Sequence, residues 1–354
     1  MSKTVTREII YSFVCISAFV ALNAAAQDKT WTIGPREIPP PAGASDALRA
    51  SISSAPAPDV EASRRAAPKD EAAWTALLEQ RSGASGRSLT DVEKQFGVTI
   101  TPYDIEGVST FYVLPNSVDP ENEDRLFLHV HGGAYVFGGG DDSVFEAVVV
   151  AANAKMPAIS VDYRMPPKHP FPAAVDDVVT VYKAMLQKTD AKAIAIGGTS
   201  AGGGLALASV HKFRQLGLAT PGAIYAGTPW ADLTVTGDTM YTNEGLDRIL
   251  TTPHGILTAA ANLYAGGHDI KDPLISPVYG DFKDFPPTYF VTGTRDMFLS
   301  DTVRTHRKMR AAGVVADLNV FEGMSHAGYL IVLDSPESKE AFDGLSAFFK
   351  THLK

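Results

Sequence analysis

From Val98 onward, short apolar runs alternate with longer stretches whose apolar positions recur at three- and four-residue spacing. The short runs predict strands at 98–102, 108–114, 125–130, 158–162, 193–197, 223–226, 288–292 and 316–321, and the spaced stretches predict helices at 173–187, 201–216, 301–312 and 337–351. The early strands are close enough to pair as hairpins. The later strand–helix alternation calls for a parallel sheet with right-handed crossovers. The expected class is therefore α/β, a mostly parallel eight-stranded sheet flanked by helices. Upstream, helical spacing begins near Pro68 and runs to Arg81, with Trp74, Leu77 and Leu78 on one face. A second short helix is expected at 89–96, where Thr90 or Asp91 could cap its start. Between strands, 232–277 is long and only 253–265 reads as helix, so it is expected to form a cap over the sheet edge that carries the chemistry.

The N-terminal pattern is different. Lys3 and Arg7 precede an apolar run at 9–22, and Ala24-Ala25-Ala26 supplies the small residues a signal peptidase accepts before Gln27. At roughly 14 residues the run is short of the roughly 20 that span a bilayer. Residues 1–26 are expected to be a cleaved signal peptide, the alternative being an uncleaved anchor. Cys15, the chain's one cysteine, would leave with it, and no small residues precede it as a lipoprotein signal requires. Residues 27–67 are rich in Pro, Ala and Ser and are expected to be linker. The remaining organisation is then 68–97 as N-terminal cap helices and 98–354 as a catalytic domain carrying the cap insertion. The protein is expected to be exported, periplasmic or secreted.

Composition narrows the partners. The 354 residues are 45% hydrophobic and 20% charged, which suits an ordinary globular core. A net charge of −9 gives little support to nucleic acid or an anionic membrane as partner. Without thiols after cleavage there is no disulfide, thiolate nucleophile or cysteine metal site. A homodimer stays open.

The chemistry sits at Gly198-Thr199-Ser200-Ala201-Gly202, which follows the strand at 193–197 and opens the helix at 201–216. A serine on a sharp strand-to-helix turn, with glycines either side for close packing, fits a nucleophile elbow; the bland competitor is a glycine-rich turn. Such a serine needs a base, and the base an orienting carboxylate, in the chain order Ser, acid, His. Asp296 follows the strand at 288–292, and His326 follows the strand at 316–321. His306 lies within a helix, His268 and Asp269 belong to the cap insertion, and Asp301 reads as a helix-start residue favoured by the dipole. His131-Gly132-Gly133-Ala134 follows another buried strand. Its glycine N–H groups, Gly132 and Gly133, together with that of Ala201, would make an oxyanion hole. His129 and His131 share strand spacing, but no supporting third ligand stands nearby in sequence, so no metal is expected and His131 is expected to hold the loop. Gly138-Gly139-Gly140 lacks the Lys-Ser/Thr of a phosphate loop.

Together, His131-Gly132-Gly133-Ala134-Tyr135, the run 162–173 (Asp-Tyr-Arg-Met-Pro-Pro-Lys-His-Pro-Phe-Pro-Ala), Gly198 to Gly203, and Thr228-Pro229-Trp230-Ala231-Asp232 resemble the microbial hormone-sensitive-lipase-like esterases, in their GTSAG branch. The likeness runs from about Trp74 to the C-terminus. It implies a capped α/β-hydrolase fold hydrolysing short- to medium-chain esters without a cofactor, with Ser200, Asp296 and His326 as triad and Gly132, Gly133 and Ala201 as oxyanion donors. Four positions depart from the family's pattern: Ala134 for the third glycine of the loop, Lys168 for a common acidic residue, and Met297 and Ser300 for the proline and second aspartate often seen after the acid. None removes a triad member. The expected substrate is a small ester or lactone. The same triad would serve an amidase or peptidase, although peptide substrates usually call for an accessory domain this chain has no room for. A non-catalytic binding protein, as in the gibberellin receptors that resemble this family, would have lost the histidine that stands here as His326.

Overall fold

Eight apolar runs become eight strands: β1 Val98–Ile105, β2 Val108–Pro115, β3 Leu126–Val130, β4 Ala158–Val161, β5 Ile194–Thr199, β6 Ala223–Gly227, β7 Thr288–Gly293 and β8 Ala316–Phe321. They form one sheet in the order β1-β2-β4-β3-β5-β6-β7-β8. The β1–β2 and β2–β4 pairs are antiparallel and every later pair is parallel; the two-residue link after β1 makes a hairpin, while the parallel pairs are joined by long crossovers. This computed structural model describes residues 32–354 except 82, 84 and 85, so the expected signal segment lies outside the described residues. Residues 40–354 form one compact unit. In the other unit, 1–39, the described residues 32–39 carry neither helix nor strand.

The principal helices are α1 Asp46–Ser54, α2 Val60–Arg65, α3 Glu71–Arg81, α4 Leu89–Phe96, α5 Phe145–Ala154, α6 Ala173–Met185, α7 Ala201–Gln215, α8 Ile256–Ala265, α9 Leu299–Ala311 and α10 Pro336–His352. The strands read as continuous apolar runs because both sheet faces are covered. Successive side chains go to opposite faces: Leu128, Ile194, Ile196, Ile224 and Phe290 meet α6, α7 and Met309 of α9, while Phe127, Ala195, Ala223, Tyr289 and Val291 meet α5 and α10. Phe127 and Leu128 are neighbours in β3 and both have 0% exposure, which only a doubly covered strand allows. Burying side chains of that size stabilises the fold by about 1.5–3 kcal/mol each.

Two expectations about the N-terminal region need correction. The stretch 27–67 is not linker throughout, since it contains α1 and α2. Ser45 caps α1 by accepting from the Leu48 N–H at 3.2 Å, and its own N–H and hydroxyl donate to the Glu337 carboxylate at 2.7 Å each. Leu48 is buried in the core cluster that includes α10. Asp59 caps α2, and Arg64 pairs with Glu244 at 2.8 Å. One buried leucine and two capping side chains suffice to order a segment whose composition is otherwise that of a linker.

The second correction divides 68–97. Only α3 packs on the helix of the insertion: Trp74, Leu77 and Leu78 pack with Val136 and Phe137 and with Ile256, Ala259, Ala260 and Leu263 at or in α8. By contrast α4 lies against the sheet's antiparallel edge, with Val92 in the core and Phe96 edge-on to Phe145 at 5.9 Å. The cap helix of the insertion starts at Ile256 rather than 253, directly after Gly255, whose φ of 108° is open to glycine.

Candidate active site

The elbow is built by two close approaches. A Cβ at Gly198 would stand 1.9 Å from the Val130 carbonyl oxygen, and one at Gly202 would stand 2.1 Å from the same atom. Glycine at both positions therefore lets β3 run directly beside the turn. Between them Ser200 takes φ 64° and ψ −124°, a conformation L-residues rarely adopt. Backbone bonds hold it there: its N–H donates to Gly227 O at 2.8 Å, and its carbonyl accepts from Trp230 at 2.9 Å and Gly204 at 3.0 Å. The strain is thus imposed by strand β6 and the loop after it.

Asp296 and His326 come together from the loops after β7 and β8. His326 Nδ1 donates to Asp296 Oδ1 at 3.1 Å, and both residues are buried. The same Oδ1 accepts the Phe298 N–H at 2.9 Å, while Oδ2 accepts the Thr292 hydroxyl at 2.7 Å. Phe298 lies edge-on to the imidazole at 4.9 Å and stacks on Trp230. Ser200 and His326 line one cavity of 530 Å³. Among the described residues no hydrogen bond joins them directly, a looseness common in unliganded catalytic geometries.

Gly132 and Gly133 line the same cavity. A Cβ on Gly132 would come within 2.8 Å of Thr199 O and 3.4 Å of Ser200 Cβ, so this loop lies against the nucleophile's turn. Ala201 opens α7, where the first N–H groups have no intrahelical acceptor. His131 donates from Nδ1 to Gly132 O at 2.7 Å and stacks on Tyr163 at 4.0 Å. Burial lowers its pKa to about 3, so it stays neutral and holds the glycine loop. Ala134, the departure from a third glycine, sits at φ 54° on the cavity wall.

His129 turns to Ser160 (2.8 Å) and Glu146 (3.2 Å). That carboxylate belongs to a network the sequence did not disclose. Glu146 Oε1 accepts the Thr199 hydroxyl at 2.5 Å and Oε2 the Thr199 N–H at 3.1 Å, directly before Ser200. Thr199 Oγ1 also meets the hydroxyls of Tyr329 (2.6 Å) and Tyr225 (3.0 Å). The signal was one glutamate inside the otherwise apolar run Phe145-Glu146-Ala147-Val148-Val149-Val150, because a buried carboxylate must find donors. Asn243 and Asp247, from the cap insertion, were missed as well, and both touch the acid's loop.

Asp301 lies in the first turn of α9, as expected, and it is fully buried beside Asp232. Burial first, and the Asp232 charge second, push its carboxyl well above the usual range. Asp232 itself is matched by Arg304 at 2.6 Å and Tyr279 at 3.0 Å.

Comparison with known proteins agrees with this geometry. Residues 127–330 match the model of an alpha/beta hydrolase fold family. An acetyl-hydrolase of Streptomyces hygroscopicus is 30% identical over 236 residues, 66% of this chain and 78% of that protein. An esterase of Acinetobacter venetianus is 31% identical over 227 residues, 63% and 74% of the two chains. Among solved structures, esterase E25 superposes with a TM-score of 0.89 at 48% identity, covering 92% of this chain and all of that one. An esterase from the bacterial hormone-sensitive lipase family gives 0.71 at 28% identity, covering 88% and 99%.

Proposed function

Since the chain belongs to the alpha/beta hydrolase fold family, among its hormone-sensitive-lipase-like esterases, we propose that it hydrolyses short- to medium-chain carboxylic esters, or lactones, with Ser200 as nucleophile, His326 as base and Asp296 as the acid that orients it. The observation carrying this assignment is the His326–Asp296 hydrogen bond set beside a strained Ser200 on one cavity wall. As Ser200 Oγ bonds to the acyl carbon, His326 takes its proton, and the N–H groups of Gly132, Gly133 and Ala201 meet the oxyanion. Collapse breaks the acyl–alkoxy bond, and His326 protonates the departing alcohol. Water then attacks the acyl-enzyme, again losing its proton to His326, which passes it to Ser200 Oγ as the acyl–serine bond breaks and the acid leaves. The charged carboxylate of Asp296 stabilises each transient imidazolium.

The apolar wall limits the acyl chain. Phe137, Ile249, Leu250, Ile256, Leu257 and Leu330 line the cavity, and Trp74 backs Phe137 at a ring distance of 6.3 Å. Across a p-nitrophenyl acyl series run beside a lactone panel, kcat/KM is expected to peak at short or medium chains. Trp74→Leu is expected to move the optimum to longer ones by opening the wall behind Phe137. A palmitate optimum in the parent would overturn the substrate range. An unchanged profile in a folded Trp74→Leu protein would remove α3 from the determinants of chain length.

Residues 1–26 direct export and are cleaved, which places the enzyme in the periplasm or outside the cell. The basic start, the apolar run 9–22 and Ala24-Ala25-Ala26 support this. Mass spectrometry of exported protein is expected to find Gln27 at the N-terminus. Intact Met1 on membrane-bound material would favour an anchor instead.

A further inference from the structure

The Asp296 loop is gripped from outside by one stretch of the cap insertion. The Asn243 side-chain amide donates to Asp296 O at 2.8 Å and Thr294 O at 3.2 Å. One helical turn on, Asp247 Oδ2 accepts the N–H of Met297, the residue after the acid, at 2.8 Å. Thr239 donates from its hydroxyl to Met297 O at 2.7 Å, and it exchanges two bonds with Ser300: Thr239 N–H to Ser300 Oγ (3.0 Å) and Ser300 N–H to Thr239 Oγ1 (2.9 Å). Met297 and Ser300 are the two positions after the acid that depart from the family's pattern. A proline at 297 would have no N–H to offer Asp247, so this grip requires a residue other than proline there. The other oxygen of Asp247, Oδ1, accepts from Ile249 at 2.9 Å and Leu250 at 3.3 Å, and those two residues line the substrate cavity.

We propose that Asp247 is a positioning residue for the reaction, joining the cavity wall at 249–250 to the loop that aims Asp296 and adding a second negative charge behind His326. The inference rests on the Ser200–His326–Asp296 assignment. Asp247 touches no reacting atom and acts through Asp296 and His326. The charged groups facing it are Asp296 and His326 from the two catalytic loops and Arg248 beside it on its own loop; Arg248 has Arg295 near it in turn. Burial, and then the charge of Asp296, raise the Asp247 pKa to about 6, with His326 and two backbone N–H groups acting the other way. Above that pH Asp247 is ionised. There its charge favours the imidazolium that forms as His326 takes the Ser200 proton.

Two variants separate the charge from the grip. Asp247→Asn keeps the shape but removes the charge and turns either its amide or a weakened acceptor toward the Met297 N–H. Asn243→Ala removes donors to the acid loop and leaves the Asp247 charge in place. With p-nitrophenyl butyrate, both variants are expected to lower kcat about tenfold through misaimed Asp296, with KM little changed. In Asp247→Asn alone, the acidic limb of the kcat/KM profile is expected to move down by roughly one pH unit. In Asn243→Ala it is expected to stay where the parent has it. A folded Asp247→Asn protein with parental kcat and limb would overturn the inference, and so would an equal limb shift in both variants. If Asp247→Asn does not fold, parental kcat in Asn243→Ala overturns it alone. Ser200→Ala, run alongside, keeps the two levels apart. A dead Ser200→Ala with a parental Asp247→Asn removes only the role of Asp247, whereas an active Ser200→Ala removes the triad assignment itself.

Discussion

Ser200→Ala is expected to lower ester turnover on the order of 10⁶-fold, to abolish labelling by an organophosphate, and to leave the fold intact. The loss is large because the neighbouring hydroxyl on the elbow, Thr199, is held by Glu146, Tyr329 and Tyr225. The fold survives because every bond that fixes residue 200 is a backbone bond, to Gly227, Trp230 and Gly204, and alanine keeps all three. The positive φ costs alanine much what it costs serine, so the melting temperature should move by no more than a few degrees. Stoichiometric labelling of the alanine protein would show that the nucleophile lies elsewhere.

Asp296→Asn is expected to lower kcat by about 10²- to 10³-fold, short of the loss of about 10⁴ seen when an amide imposes the wrong imidazole tautomer. The difference comes from the neighbours. Oδ1 faces two donors, His326 Nδ1 and the Phe298 N–H, whereas Oδ2 faces only the Thr292 hydroxyl. The amide therefore keeps its oxygen toward His326 and turns its NH₂ to Thr292, whose hydroxyl can reverse and accept. The tautomer survives, and the charge that stabilises the imidazolium is lost. The acidic limb of the pH–rate profile should move down for the same reason, since loss of a neighbouring negative charge disfavours the imidazolium. Asp301→Asn serves as the control: burial and the Asp232 charge favour the neutral form of its carboxyl, so an amide of the same shape should turn over near the parental rate. A loss beyond 10⁴-fold in Asp296→Asn would mean the amide had flipped. A dead Asp301→Asn beside an active Asp296→Asn would reassign the acid.

The sheet was legible, and the residues proposed as the triad could be picked out, because their signals are local or ordered along the chain. Apolar runs covered on both faces have few alternatives to parallel strands. A serine between a strand and a helix points to its partners, because the acid and the histidine must stand on the loops that leave later strands. Other features depend on a single side chain meeting something distant in sequence. Leu48 and the Ser45–Glu337 bonds order α1 across 292 positions, and a stretch of Pro, Ala and Ser conceals them. Trp74 could be assigned to the cap from its helical face, but nothing in the spacing of 89–96 says that α4 faces the sheet instead. Asn243 and Asp247 sit where no periodicity reaches. Their role depends on the path of the insertion, which no short-range pattern encodes. Asp301 was placed in the right turn of the right helix, yet its burial depends on Asp232, 69 residues away.

The Val130 carbonyl oxygen, wedged between Gly198 and Gly202, also decides where this enzyme can change. Any side chain at either glycine would collide with backbone atoms, at 1.9 and 2.1 Å, that no rotamer can move aside. A library diversified across the elbow would lose most of its members to misfolding before any substrate was offered. Variation confined to 249–257 and to the face of α3 leaves the turn untouched while altering what the cavity admits, so those positions are where new substrate preferences can be selected.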